Sequence, residues 1–161
     1  MQLYNSLSNT ERATLIQEAG KDRLTISFYK YFKISNPESF RNSFFLFLDS
    51  IDVLGRIYIA SEGINAQMSI PADQFKVFKE HLDTINFLNN VRLNIAIEQN
   101  NFSFLKLKVK VRDKIVSDGL NDDNFDPSDI GTHVNASEFN SLIEDENTLV
   151  VDMRNHYESE I

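Results

Sequence analysis

Apolar positions along the first 112 residues follow two different spacings. A spacing of three and four residues, which places side chains on one face of an α-helix, follows Ser8, Pro37 and Pro71. Alternation of apolar and polar residues, which is typical of a β-strand with one buried face, marks five further stretches. These predicted strands lie at residues 24–34, 55–60, 64–70, 91–97 and 104–112.

Local residues mark where the predicted helices begin. Ser8 and Glu11 have the spacing of a capping box, so we expect a short leading helix at about residues 8–20. Pro37 and Pro71 are each placed at the first position of a later helix, where the missing N–H of proline costs no hydrogen bond.

The predicted elements after the leading helix follow the order βαββαβ, with one extra strand at the end. This order is typical of a ferredoxin-like or acylphosphatase-like sandwich, in which one antiparallel sheet carries two helices on one face. The two middle strands are expected to form a hairpin around residues 61–63. We therefore predict an α+β domain over residues 1–116, which is long enough for one hydrophobic core.

The last part of the chain has a different pattern. Residues 117–132 are acidic and rich in turn residues, which is typical of a linker. A short amphipathic helix is predicted at 137–144, and 149–153 is a continuously apolar run of the kind found in buried parallel strands. One helix and one strand cannot cover each other. We therefore predict that residues 133–161 begin a second, α/β domain whose remainder lies outside this chain.

Charge is unevenly divided between these parts. The formal net charge is −8, yet residues 1–114 hold 15 basic and 12 acidic side chains, whereas residues 115–161 hold one basic and 12 acidic ones. A polyanion would be repelled by the tail and would approach the first part, although an acidic linker also simply stays solvated. The chain has no cysteine, which excludes disulfides, thiolate metal sites and cysteine nucleophiles within it.

Neither membrane insertion nor secretion is expected from the sequence. No run of about 18 apolar residues occurs, and the first residues lack the basic start and apolar core of a signal peptide. The expectation is a cytoplasmic protein. His81, His133 and His156 do not pair at ligand spacing, so each is expected at the surface and no metal site is predicted.

The strongest candidate for binding is a row of cations in the last predicted strand. Because they recur at every second position, their side chains leave one face of the strand together. Such a row matches the phosphates of a nucleic acid. The alternatives are a solvated face or an edge strand protected by lysines against aggregation. The row consists of Lys106, Lys108, Lys110 and Arg112, and Lys114 extends it.

A second polar group surrounds the predicted hairpin turn. Glu62 and Asn65 are expected to present polar side chains beside Arg56. The alternative is that these residues only shape the hairpin.

Three tyrosines have two interpretations. If Tyr29, Tyr31 and Tyr58 are exposed on the sheet, they could stack nucleic-acid bases. The alternative is that they pack in the core or at its rim.

Three segments together resemble one protein family, the bacterial tRNA uridine hydroxylases, also called rhodanese-related sulfurtransferases. Residues 55–65 (GRIYIASEGIN) are similar to its GRI-x-IA-x-EGIN segment. Residues 104–116 (FLKLKVKVRDKIV) are similar to its F-K-x-x-x-V-x-V-R-x-E-I-V segment, from which Leu105 and Lys114 depart. Residues 149–158 (LVVDMRNHYE) resemble the opening strand of a rhodanese domain. The D-x-R-x-x-x-E pattern of that strand falls on Asp152, Arg154 and Glu158.

The resemblance implies an acylphosphatase-like N-terminal domain followed by a rhodanese domain. It also implies hydroxylation of the wobble uridine of tRNA to 5-hydroxyuridine, dependent on prephenate and oxygen. The family's reactive cysteine would lie on a rhodanese loop beyond Ile161, so this chain alone is expected to be inactive.

For the residues present here, the resemblance favours the cation row as the tRNA contact. It would place Arg56, Glu62 and Asn65 at a polar patch that faces the active site of the second domain. Asp152, Arg154 and Glu158 would have structural roles in the rhodanese part. The alternative function is a rhodanese-type sulfurtransferase, or a sulfur-carrier or docking module, without tRNA hydroxylation. The oligomeric state is left open.

Overall fold

The computed structural model describes residues 6–115 and 131–152 of the chain. The chain divides into two compact units, residues 1–128 and 129–161, and each is described by itself. Most of the stretch predicted as a linker lies outside the described residues.

The first unit contains three α-helices and five β-strands among its described residues. In chain order they are α1 (Asn9–Ala19), β1 (Arg23–Tyr31), α2 (Pro37–Ser50), β2 (Leu54–Ala60), β3 (Gly63–Pro71), α3 (Phe75–Thr84), β4 (Asn94–Ile95) and β5 (Leu107–Val111). After the leading helix, the order β1-α2-β2-β3-α3-β4 followed by β5 confirms the predicted α+β plan.

Capping residues set the starts of the first two helices. Ser8 Oγ accepts from the Glu11 amide at 3.2 Å, and Glu11 Oε2 accepts from the Ser8 amide at 2.8 Å, which completes the predicted capping box. Asn36 Oδ1 accepts from the Ser39 amide at 2.9 Å, directly before Pro37. Because these side chains satisfy amides that a helix leaves unpaired, they define where each helix begins.

The five strands form one mixed sheet in the order β4-β1-β3-β2-β5. The first four strands are antiparallel to their neighbours, as in the ferredoxin-like plan, whereas β5 pairs with β2 in parallel. The prediction of an entirely antiparallel sheet is therefore wrong at this edge. The reason is topological. β4 and β2 run in opposite directions, so a strand that returns antiparallel to β4 along the β2 edge must run parallel to β2.

One face of the sheet packs against α2 and α3, and alternate strand positions are buried there with the apolar stripes of both helices. The large buried side chains on this side include Phe28, Phe44, Phe78, Ile57, Ile59, Ile64, Met68 and Leu82. We call the opposite side of the sheet the open face, because α2 and α3 leave it uncovered. By the strand register it carries Ser27, Tyr29, Asn65, Gln67, Arg56, Tyr58, Lys108 and Lys110.

The predicted start of the second large helix at Pro71 is wrong. Pro71 is the last residue of β3 and pairs with Arg23, and the next amide, of Ala72, donates to Asp22 O at 2.8 Å. Since this bond continues the ladder past the proline, the chain is still extended at Pro71. One 3₁₀ turn follows, and α3 begins at Phe75.

The predicted strand over residues 91–97 is also too long. Within this stretch only Asn94 and Ile95 pair with β1, and Ile97 is fully exposed. Beyond this short pairing, side chains take over the hydrogen bonds of the β1 edge. Gln99 Oε1 accepts from the Thr25 amide at 2.6 Å, and Asn101 Oδ1 accepts from the Arg23 amide at 2.9 Å. The edge amides are thus satisfied without a strand.

The first predicted strand extends to Ile34, whereas β1 ends at Tyr31. Beyond Tyr31 the amides of Phe32 and Ile34 donate to the carbonyls of Glu62 and Ser61, at 2.9 and 2.8 Å. These acceptors belong to the hairpin turn between β2 and β3, so the sheet ladder stops where the neighbouring strand turns.

A buried arginine ties three parts of the first unit together. The side chain of Arg23 is 4% exposed; it donates to Ser69 Oγ and Ser69 O at 2.9 Å each and to Asp52 Oδ2 at 3.0 Å. Asp52 also accepts from Arg12 of α1 at 3.3 Å. Burial lowers the pKa of Arg23 from its ordinary value, and the nearby Asp52 carboxylate opposes that change.

The second unit contains one helix in its described residues, α4 (Ala136–Ile143), which confirms the predicted helix. Asn135 and Glu138 form its capping box. The predicted strand after it is wrong for residues 149–152, which have no regular structure, and Leu149 is 85% exposed. A strand requires a neighbour to receive its backbone hydrogen bonds, and the described residues of this unit provide none. None of the helices in the described ranges is long and apolar enough to cross a bilayer.

Replacement of Arg23 by methionine is expected to lower the free energy of unfolding by about 2–4 kcal/mol, because Ser69 and the Asp52 carbonyl would lose their donors in a buried setting. Urea unfolding followed by circular dichroism measures this change. The matched control is Lys21→Met at the exposed pair with Asp73, where a change within about 0.5 kcal/mol is expected. Equal effects of the two substitutions would show that the Arg23 contacts contribute little.

Candidate nucleic-acid interface

The cation row lies on the open face of the sheet, as its alternation predicts. In the parallel pairing of β5 with β2, Lys108 lies opposite Arg56 and Lys110 lies opposite Tyr58. Leu107 and Val109, which alternate with these lysines, are buried on the other side of the sheet. The lysines therefore leave the strand on the same side as Arg56, because successive side chains alternate between the faces of a strand.

Lys106 and Arg112 flank β5 and keep its alignment with β2. Lys106 O accepts from the Gly55 amide at 3.0 Å, and the Arg112 amide donates to Ile59 O at 2.8 Å. The row from Lys106 to Arg112 is thus held by backbone hydrogen bonds at both ends. Lys114 lies after the strand ends, in an irregular segment, so it does not continue the row by strand geometry.

Within residues 6–115 and 131–152, no carboxylate forms an ion pair with the cations on this face. Arg56, Lys108 and Lys110 are exposed, Lys106 is half-buried, and none of the four forms an ion pair with a carboxylate of the described residues. On an edge strand such as β5, protection against aggregation is by itself a sufficient reason for lysines. Arg56 belongs to β2, an interior strand, so edge protection does not account for its charge.

Aromatic side chains lie on the same face as the cations. The guanidinium carbon of Arg112 is 5.4 Å from the ring centre of Tyr58, which is within the range of a cation–π contact. Tyr29 is 65% exposed and meets Tyr31 edge to face at 6.3 Å. Tyr58 and Tyr31 are half-buried at the rim. Only Tyr29 therefore presents most of its ring to solvent.

The hairpin turn requires glycine at position 63. Gly63 has φ +148°, and a Cβ there would lie 2.1 Å from Lys30 O. The close approach of the β1 backbone therefore excludes any side chain at this position. This steric constraint is a structural reason for glycine in the EGIN segment, independent of any binding role.

The polar patch predicted around this turn is divided in the structure. Glu62 Oε1 accepts from the Ile115 amide at 2.7 Å, and Asn65 Nδ2 donates to Ile115 O at 3.4 Å. Ile115 itself is buried. In the strand register Arg56 lies instead opposite Gln67 of β3 and opposite Lys108 of β5. Glu62 and Asn65 therefore hold the chain as it leaves the sheet, whereas Arg56 belongs with the cations.

Other candidate residues are less informative. Asp152 is exposed, and Arg154 and Glu158 lie outside the described residues, so their rhodanese roles stay predictions. His81 stacks on Phe47 with ring centres 3.5 Å apart, and burial lowers its pKa from the ordinary value. His81 is therefore a half-buried side chain that packs against Phe47 of α2. Within residues 6–115 and 131–152, no cluster of three metal-ligating side chains occurs.

The segment between β4 and β5 contributes to this face without having been a candidate from the sequence. Residues 96–106 cross from one sheet edge to the other, and Phe104 lies near Ser27 and Gln67 of the open face. Its signal in the sequence is the polar run at residues 99–101.

Together, a β4-β1-β3-β2 sheet with two helices on one face defines an acylphosphatase-like α+β domain. The family model of the UPF0176 acylphosphatase-like domain matches residues 23–115, and the chain belongs to this family.

Curated relatives match almost the whole chain. A protein of Photorhabdus laumondii subsp. laumondii is 46% identical over 160 residues, covering 99% of this chain and 46% of the relative. A protein of Leptospira interrogans is 49% identical over 146 residues, covering 91% of this chain and 40% of the relative. Both are named tRNA uridine(34) hydroxylase, and the resemblance inferred from three segments is confirmed. The chain spans about half the length of these relatives or less.

Replacement of Glu62 by alanine is expected to speed hydrogen exchange of the Ile115 amide about tenfold, because that amide loses a charge-assisted acceptor. Exchange followed by NMR on the whole chain measures the effect. Glu98→Ala is the control, since Glu98 is exposed. An unchanged Ile115 amide in Glu62→Ala would contradict the role of Glu62 in holding this segment.

Proposed function

We propose that this chain is the tRNA-binding N-terminal part of an enzyme that hydroxylates uridine 34 of tRNA. The names of the relatives support the reaction, and they favour it over the sulfur-transfer alternative. The observation that supports the binding role is the alignment of Arg56 with Lys108 across neighbouring strands, both exposed and without a carboxylate partner in the described residues.

The physical basis of the proposed binding is counterion release. Each cation that contacts a phosphate displaces condensed counterions from the RNA, so affinity falls steeply as salt rises. Arg56, Lys106, Lys108 and Lys110 present this charge on a rigid sheet, and Arg112 adds to it beside Tyr58. Because the strands fix the spacing, little backbone order has to be gained when the phosphates arrive.

The remainder of the enzyme would supply the chemistry. The rhodanese cysteine, prephenate and oxygen belong to this proposal, and the chain itself has no cysteine. A rhodanese loop surrounds its thiolate with backbone amides, which lowers the thiol pKa and makes the sulfur reactive. We therefore propose that the chain alone binds tRNA in the cytoplasm without hydroxylating it.

Binding of tRNA to this chain is expected to weaken about tenfold in Lys108→Glu at 0.1 M salt, with a salt dependence reduced by about one phosphate contact. Fluorescence anisotropy with labelled tRNA at several salt concentrations measures both quantities. Lys76→Glu on α3 changes the net charge equally and lies away from the open face, so it serves as the matched control. Equal losses in both variants would mean that only net charge matters.

Deletion of the gene is expected to remove 5-hydroxyuridine from position 34 of tRNA, as measured by mass spectrometry of nucleosides from purified tRNA. Reintroduction of the intact gene should restore the nucleoside, whereas a gene ending at Ile161 should not. An unchanged level of 5-hydroxyuridine in the deletion strain would contradict the proposed reaction.

A further inference from the structure

A groove opens at one end of the cation row, where residues 96–106 pass over the open face. Its volume is about 270 Å³, and Gly55, Arg56, Phe102, Phe104, Lys106 and Lys108 line it. The groove therefore combines three cations with two aromatic rings in one concave site. The three cations were already candidates from the sequence, whereas Phe102, Phe104 and the groove itself were not.

The cations are concentrated on one side of this groove. Arg56 and Lys108 are directly opposite each other in neighbouring strands, and Lys106 precedes Lys108 by two residues on the same side. None of them is paired with a carboxylate of the described residues. Three like charges at neighbouring positions repel each other, so an anion in the groove would relieve that repulsion.

The aromatic wall is held in place by hydrogen bonds. The Phe102 amide donates to Asn100 Oδ1 at 2.8 Å, and the Ser103 amide donates to Asn100 O at 3.0 Å. Thr25 Oγ1 of β1 donates to Ser103 Oγ at 3.0 Å, which fastens the wall to the sheet. The side chain of Phe102 is nevertheless 46% exposed. An aromatic ring is thus presented to solvent on a pre-ordered backbone.

The N-terminal end of α1 also reaches the groove through Asn9. The capping box engages the amides of Ser8 and Glu11 there and places the Glu11 carboxylate at this helix end. We therefore assign the attraction for an anion to the three side chains and not to the helix end.

We propose that this groove binds one unpaired nucleotide of single-stranded RNA, with its phosphate at Arg56, Lys106 and Lys108 and its base against Phe102. The inference rests on the proposed function and deepens it. A base stacked in a duplex has no free face to offer Phe102, whereas an unpaired base can stack on an exposed ring. Cations beside an aromatic platform are the combination by which proteins bind single strands.

The test uses the whole chain and two labelled eight-residue RNAs, one of uridines and one of abasic ribose phosphates. Phe102→Ala is expected to weaken binding of the uridine RNA at least fivefold and to leave its salt dependence unchanged. The abasic RNA should bind wild type and Phe102→Ala alike. Phe102→Tyr should retain the affinity, and Phe139→Ala, at an exposed ring on α4, is the control.

A second variant tests the phosphate part of the groove. Arg56→Met is expected to reduce the salt dependence of uridine-RNA binding by about one phosphate contact. Arg92→Met, at an exposed position outside the groove, should leave it unchanged. Circular dichroism of each variant confirms that the fold is retained.

The outcomes separate this inference from the proposed function. If Phe102→Ala or Arg56→Met binds uridine RNA like wild type while tRNA binding stays salt-dependent, the groove inference is overturned and tRNA binding stands. If the chain binds an eight-base-pair duplex of the uridine RNA and its complement more tightly than the single strand, the inference is also overturned. If wild type binds tRNA without salt dependence, the proposed binding role itself fails.

Discussion

The structure depends on one topological constraint, that β4 and β5 lie at opposite edges of the same sheet. The chain between them has to cross a face, and α2 and α3 already occupy one of the two. Residues 96–106 therefore cross the open face, where Gln99, Asn101 and Ser103 fasten them to β1. This crossing covers one end of the face and leaves its middle exposed.

Two chemically different regions result from this arrangement. At the crossing, Arg56, Lys106 and Lys108 face Phe102 across a groove. At the other end of the sheet, Glu62 and Asn65 hold the backbone of Ile115. The hairpin of β2 and β3 thus contributes to both regions, with Arg56 at one end and Glu62 and Asn65 at the other. Side chains on one face of a strand are about 7 Å apart for every two residues, so the two ends are well separated. Arg56 of the proposed binding face and the contacts at the exit of the chain from the sheet are therefore positioned by the same pair of strands.

Much of the fold and part of the candidate site could be predicted from local pattern. The cap at Ser8 and the one-sided placement of Lys108 and Lys110 depend only on neighbouring residues, and the structure confirms them. The length of β4 could not be predicted, because the side chains of Gln99 and Asn101 accept from the β1 amides that a longer β4 would pair with. Those amides belong to residues more than 70 positions earlier in the chain. Arg56 was grouped with Glu62 for their nearness in sequence, although the pairing of β2 with β5 places Arg56 among the cations.

For the first unit, sequence alone determined which elements exist, their order, the α+β class and the face on which the cations lie, because helix period, strand alternation and capping are short-range properties of the chain. Only the tertiary structure decided that β5 runs parallel to β2, that Glu62 accepts from Ile115, and that Phe102 faces three cations. These contacts join residues far apart in the chain. They follow from which strand edges remain available for pairing once the core is packed, and no local spacing records that outcome.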